Sequence, residues 1–271
     1  MILLCNGDSW TQGDSPAQTP NWEATKTLDW YDIIPDFGDG IPRSQRILYK
    51  FYDSPIWPKI LGEKLGVETW NTGRLGTSNQ TIFRTTINSI NYLRELGKND
   101  IFVVIAWTTK YRNEIWKPNG YYDTFQYKHY PNFEHFFGEK DDVEYRLYFQ
   151  KMMKFYADTI NTEEKILDDY IYCVLNLQNF LKHNNIKYLF FNAFDDPFYK
   201  IKNKKSFYDY VDFNNVLNNK CENHFRKYIE DSFDVNWMSN NEYFIQSHPT
   251  NLSHSIWANH LYEYIINNLE K

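Results

Sequence analysis

Ile2-Leu3-Leu4-Cys5-Asn6-Gly7-Asp8-Ser9 is an unbroken apolar run that stops at a Gly-Asp-Ser turn. A run of this kind reads as a buried strand closed by a tight turn. Such strands belong to parallel sheets covered by helices. The pattern returns at Ile101–Trp107 (IFVVIAW) and at Tyr188–Phe194 (YLFFNAF), with a shorter strand over Val67–Trp70. Helical spacing fills the intervals. Ile82, Phe83, Ile87, Ile90 and Leu93 form one apolar face, with Thr77 or Ser78 as its N-cap. A second face runs from Ile166 and Leu167 through Tyr170, Ile171, Val174 and Leu177 to Leu181, and a third from Trp257 through Leu261, Tyr264 and Ile265 to Leu269. A short helix begins at Pro55–Leu61 and ends at Gly62 or Gly66, and a weak one lies near Phe213–Ile229. Strand and helix alternate, which predicts an α/β fold: a parallel sheet covered on both faces, in three layers.

The 271 residues can bury a substantial core, and residues 1–271 are expected to form one domain. Two long excursions interrupt it, at about 14–53, rich in Pro, Gly and Asp, and at about 110–162, rich in Tyr, Phe and charge, with a helix expected over Val143–Ala157. The net charge of -6 comes without a basic block, which argues against nucleic acid or an anionic membrane as partner. Cys5, Cys173 and Cys221 are odd in number and lack C-x-x-C spacing, so neither a disulfide framework nor a thiolate metal site is expected. No cofactor is called for: no G-x-G-x-x-G or P-loop follows a strand. The N-terminal apolar run is too short for a signal peptide or a membrane span, which predicts cytoplasmic synthesis without membrane insertion.

In doubly wound sheets ligands sit beyond the carboxyl ends of the strands. Ser9 falls there, at the start of a helical turn, with an exposed hydroxyl and a free backbone N–H expected. On that segment alone an ordinary helix cap explains Asp8-Ser9 equally well. Near the other end, His248-Pro249 leads into the last helix and places an imidazole where it can accept the Ser9 proton.

Gly7-Asp8-Ser9-x-Thr11, with His248-Pro249, His254 and Ala258, resembles the GDSL/SGNH hydrolase superfamily. Asn71 followed five residues later by Gly76 is similar to that family's second block. Gly76-Thr77-Ser78-Asn79 and Trp57-Pro58 resemble the SGNH-type proteins of tailed bacteriophages. The resemblance implies a flavodoxin-like, mostly parallel five-stranded sheet, a Ser9 nucleophile with His248 as base, and an oxyanion hole built on Ser9 and Gly76. It implies an esterase acting by an acyl-enzyme, on a small ester or on the O-acetyl group of a surface polysaccharide, with virion association and other virion proteins as partners. A scaffold that has lost catalysis, serving as a virion structural or glycan-binding protein, is the alternative.

Two blocks depart from the family. Where it carries Gly-x-Asn-Asp, this chain has Ala106-Trp107-Thr108-Thr109, so either Thr108 supplies the missing oxyanion donor or backbone N–H groups act alone; Arg112 either reaches the site or pairs with Glu114. Where the family has an Asp three residues before its His, this chain has Ile245. Glu242, Gln246 or a backbone carbonyl is left to orient His248. Asn79, Trp107 and Arg112 are candidates for binding substrate. Trp10, Trp107, Trp116, Tyr121, Tyr122, Tyr127 and Tyr130 either line a groove for sugar rings or pack the insertion. His129, His135 and His183 show no metal spacing, and the Asp141-Asp142 and Asp168-Asp169 pairs read as solvated helix starts and faces.

Overall fold

The computed structural model describes residues 1–13, 55–74, 76–116, 122–126, 151, 154–155, 162–194, 208–217 and 224–269. The 14–53 excursion lies outside them. So does most of the helix expected over 143–157.

Four strands form one parallel sheet: β1 (Ile2–Asn6), β2 (Glu68–Asn71), β3 (Ile101–Trp107) and β6 (Lys187–Asn192), in the order β2-β1-β3-β6. The chain leaves β1 for one side and returns to its other side as β3. That reversal opens a crevice at the carboxyl ends of β1 and β3, and Ser9 begins the turn of helix α1 (Ser9–Gln12) there. Among the described residues the sheet has four strands, and the fifth strand of the expectation is not seen. Beside β6, among those residues, a single bridge joins Phe190 with Val216.

The period of two along the strands sorts the core into two layers. Leu4, Val103, Ile105 and Phe190 face helices α3 (Asn79–Glu95) and α4 (Glu163–His183). Leu3, Cys5, Val104 and Phe191 face α2 (Trp57–Leu65), α5 (Phe225–Phe233) and α6 (Asn251–Asn268). Strands apolar on both faces are thus explained by helices on both sides. Burial of these side chains from water is the main driving term, at roughly 25 cal/mol per Å².

The helix ends follow local chemistry. Ser78 Oγ accepts the Thr81 N–H at 3.2 Å and starts α3. Gly66, at φ +66, closes α2, while Gly62 stays inside that helix. The helix expected near 213–229 is instead a short 3-10 turn at Phe213–Asn215, then the Val216 bridge, with α5 starting only at Phe225. Within the second excursion the described residues form an antiparallel hairpin, β4 (Arg112–Trp116) with β5 (Tyr122–Gln126), which no sequence period predicts. A smaller hairpin, β7 (Phe244–Ile245) and β8 (His248–Pro249), delivers the chain to α6.

Candidate active site

Asn6 anchors the end of β1: its side-chain amide donates to Ile82 O, Thr85 Oγ1 and Thr86 Oγ1, and its Oδ1 accepts the Gly7 N–H. Gly7 is required by crowding. A Cβ there would lie 2.2 Å from Thr11 Oγ1 and 2.9 Å from Ala106 O. Asp8 then caps α1, accepting the Trp10 N–H at 3.0 Å. These bonds fix Ser9 at the first helical position, where N–H groups lack intrahelical acceptors.

The two chain ends meet. His248 Nε2 lies 3.2 Å from Ser9 Oγ, and His248 Nδ1 lies 2.9 Å from the Gln246 carbonyl oxygen. A carbonyl can only accept, so Nδ1 carries the ring hydrogen and Nε2 presents its lone pair to the serine hydroxyl. That tautomer is the one a general base needs. Ser9 itself is 2% exposed, lower than the sequence suggests, while His248 is half-buried.

The group orienting His248 is thus the main chain of Gln246, not its side chain. Glu242 is not bonded to the imidazole: its carbonyl accepts from Thr250 Oγ1 at 2.6 Å. The two residues between β7 and β8, Gln246 and Ser247, both have positive φ, 48° and 61°. A two-residue hairpin turn of type I′ needs that backbone, normally supplied by Asn-Gly. Gln and Ser hold it here under strain, and strain of this sort gathers at functional sites.

Beneath the nucleophile lies a buried ion pair. Asp8, 0% exposed, receives Thr108 Oγ1–H at 2.7 Å and Arg112 Nη1 at 2.9 Å, and Arg112 Nη1 also reaches Thr108 Oγ1 at 2.8 Å. Arg112 therefore comes to the site through Asp8. Glu114 pairs instead with Arg84, at 2.5 Å.

Three expected roles are corrected. Thr108 is not an oxyanion donor, because its one hydroxyl hydrogen is committed to Asp8. Asn79 is buried and saturated: its Oδ1 accepts the Thr108 N–H at 3.0 Å and its amide donates to Thr108 O and Thr109 O, stitching α3 to β3. Trp107 is fully buried against Tyr170 and Phe190, on the sheet face away from the serine turn. Trp10 is likewise buried, and the side chains of Trp116, Tyr121, Tyr122, Tyr127 and Tyr130 lie outside the described residues. Gly76 takes φ +70, and among the described residues neither its N–H nor that of Ser9 has an acceptor.

His254 was legible only as a motif position. It is 0% exposed, its Nδ1 accepts the Trp57 N–H at 3.3 Å, and its Nε2 has no partner. Burial first, and the neighbouring His248 second, push its pKa down to about 3. It is a neutral structural group at ordinary pH. Asp8 as the partner of Arg112 was missed as well, since nothing in the sequence spacing joins positions 8 and 112.

Fold and site together define a three-layer α/β protein with a serine–histidine pair at the carboxyl edge of its sheet. The chain belongs to DUF6071, a family of unknown function, whose model matches residues 42–271. None of the curated proteins matches it in sequence. Among solved structures it is similar to a carbohydrate esterase whose active site is described as displaying divergent catalytic and non-catalytic binding functions. The identity is 10% and the TM-score 0.43, over 98% of this chain and 64% of that one, so the chain spans less than two thirds of that protein.

Proposed function

We propose that this chain is a serine ester hydrolase acting through an acyl-enzyme. The observation that carries the reading is the continuous relay Gln246 C=O, His248 Nδ1–H, His248 Nε2, Ser9 Oγ. His248 takes the Ser9 proton as Oγ attacks the ester carbonyl; the imidazolium then protonates the leaving alcohol. Water, deprotonated by the same nitrogen, frees the acid and restores the serine. The N–H groups of Ser9 and Gly76 receive the oxyanion. The substrate proposed is an O-acetyl group on a surface polysaccharide, met by a phage virion that carries this chain. The phage-type runs at Gly76–Asn79 and Trp57-Pro58 support that part.

A second reading, a glycan-binding protein on the same scaffold, is favoured by one feature: a neutral carbonyl occupies the place of the acid. A carbonyl orients the ring but offsets the imidazolium charge less than a carboxylate does. Hydrolysis of p-nitrophenyl acetate by wild type and Ser9→Ala separates the readings. The esterase loses its rate above background with the hydroxyl, by about 10³-fold or more; equal rates would leave the binding protein. Covalent labelling of Ser9 by a fluorophosphonate is the independent check.

A further inference from the structure

Four half-buried side chains gather around Trp10, the residue that follows the nucleophile. The Trp10 ring meets Phe194 at 4.5 Å and Trp237 at 6.3 Å between centroids, and Phe194 and Trp237 meet at 6.4 Å. Each of these two outer rings carries a guanidinium. Arg112 Cζ stands 5.4 Å from the Phe194 centroid, and Arg226 Cζ stands 5.1 Å from that of Trp237. They come from separate stretches: Arg112 opens β4, Phe194 follows β6, Arg226 lies in the first turn of α5 and Trp237 in the loop behind it.

A guanidinium holds five N–H donors in one plane. Arg112 bonds through Nη1 alone, to Asp8 and Thr108; among the described residues its Nε and Nη2 are neither partnered nor buried. Arg226 Nε is buried and ion-paired with Glu230 Oε2 at 3.4 Å without a hydrogen bond, while among the described residues its two terminal nitrogens have no hydrogen-bond partner. An arginine held over a ring is pre-organised, with its donor edge turned outward, and that edge matches a planar two-oxygen acceptor. Trp237 is also partly exposed beside the guanidinium it carries, and an aromatic ring of this kind packs on sugar rings.

We propose that this corner binds the carboxylate of an acidic sugar, so that the substrate class is an O-acylated acidic glycan of uronate or sialate type. The ester half of the statement rests on the hydrolase reading; the carboxylate half does not. Asp8, the residue before Ser9, holds Arg112 by an ion pair, which sets the bound carboxylate at a fixed reach from the nucleophile.

The test uses the full chain carrying Ser9→Ala, so that binding is read without turnover. Titration calorimetry compares an oligogalacturonide and an oligosialic acid with the same oligosaccharides methyl-esterified at their carboxyl groups, which carry no charge. The expected result is that at least one acid binds about tenfold or more tighter than its own ester, and that Arg226→Gln or Trp237→Ala removes about that factor. Arg226→Lys, which keeps the charge but not the fork, recovers only part of it. Equal affinity for acid and ester in both pairs, or affinity unchanged by the folded Arg226→Gln protein, overturns the proposal. Acid-selective binding in a wild type that releases no acetate would sink the esterase reading and leave this one standing.

Discussion

Because Gln246 holds His248 through its carbonyl, Gln246→Ala leaves the bond intact, and esterase activity is expected to stay within about twofold of wild type. Adding a carboxylate should do more. Ile245 is the cross-strand partner of His248 in the β7–β8 hairpin, so its side chain shares that face, about 5 Å away at Cβ. Ile245→Asp is expected to raise kcat by roughly tenfold or more by stabilising the imidazolium. A rate no higher than wild type, in a folded variant, would mean that the carbonyl already suffices. The ion pair below the serine makes the opposite prediction. Asp8 is fully buried, so Arg112→Ala strands its carboxylate with two neutral donors and is expected to cost roughly 3 kcal/mol in a urea titration.

At the scale of elements, the turn between β7 and β8 stores energy that glycine would release. A non-glycine residue in the left-handed region costs about 1 kcal/mol, so Ser247→Gly, at φ 61, is expected to stabilise the fold by up to about that amount, read as a higher Tm. An unchanged or lower Tm would show that the turn carries no such strain. This same turn marks the limit of what the sequence could tell. The buried strands and the long helices were legible because runs such as IFVVIAW and the faces of α3 and α4 follow from periodicity alone. Ser9 and His248 were legible because both sit at element ends with recognisable turn residues. Gln246-Ser247 carries no Asn-Gly signature, so neither the hairpin nor its carbonyl acceptor could be foreseen. The β4–β5 hairpin was hidden for a similar reason, lacking a clean alternation. Thr108, Asn79 and Trp107 were misread because position along the chain reveals where a residue sits and not which way its side chain faces. Each ends β3 or starts α3 beside the site, yet each turns into the packing beneath it.

Across the whole molecule, the imidazoles predict how the fold answers acid. His254 and His224 are both buried, both pushed down to about 3 chiefly by burial, with His248 adding to the first and Arg226 and Lys227 to the second. Each uses Nδ1 as an acceptor, from the Trp57 N–H and from the Lys227 N–H that caps α5. Protonation therefore puts a charge in the core and removes a backbone acceptor at the same stroke. Unfolded, the same rings titrate near 6.5, so between that pH and about 3 the unfolded chain binds more protons than the folded one. The sign follows: stability contributed by neutral burial is intact above 6.5 and is lost as pH falls through this window. Each such histidine gives a slope approaching about 1.4 kcal/mol per pH unit in the middle of the range. Urea midpoints for the wild type are thus expected to drop steeply from pH 7 to pH 4.5. In His224→Gln/His254→Gln, where neither side chain can charge, the fall over the same interval should be markedly shallower even though the variant starts less stable. Parallel pH profiles for the two proteins would show that acid does not act through the buried rings.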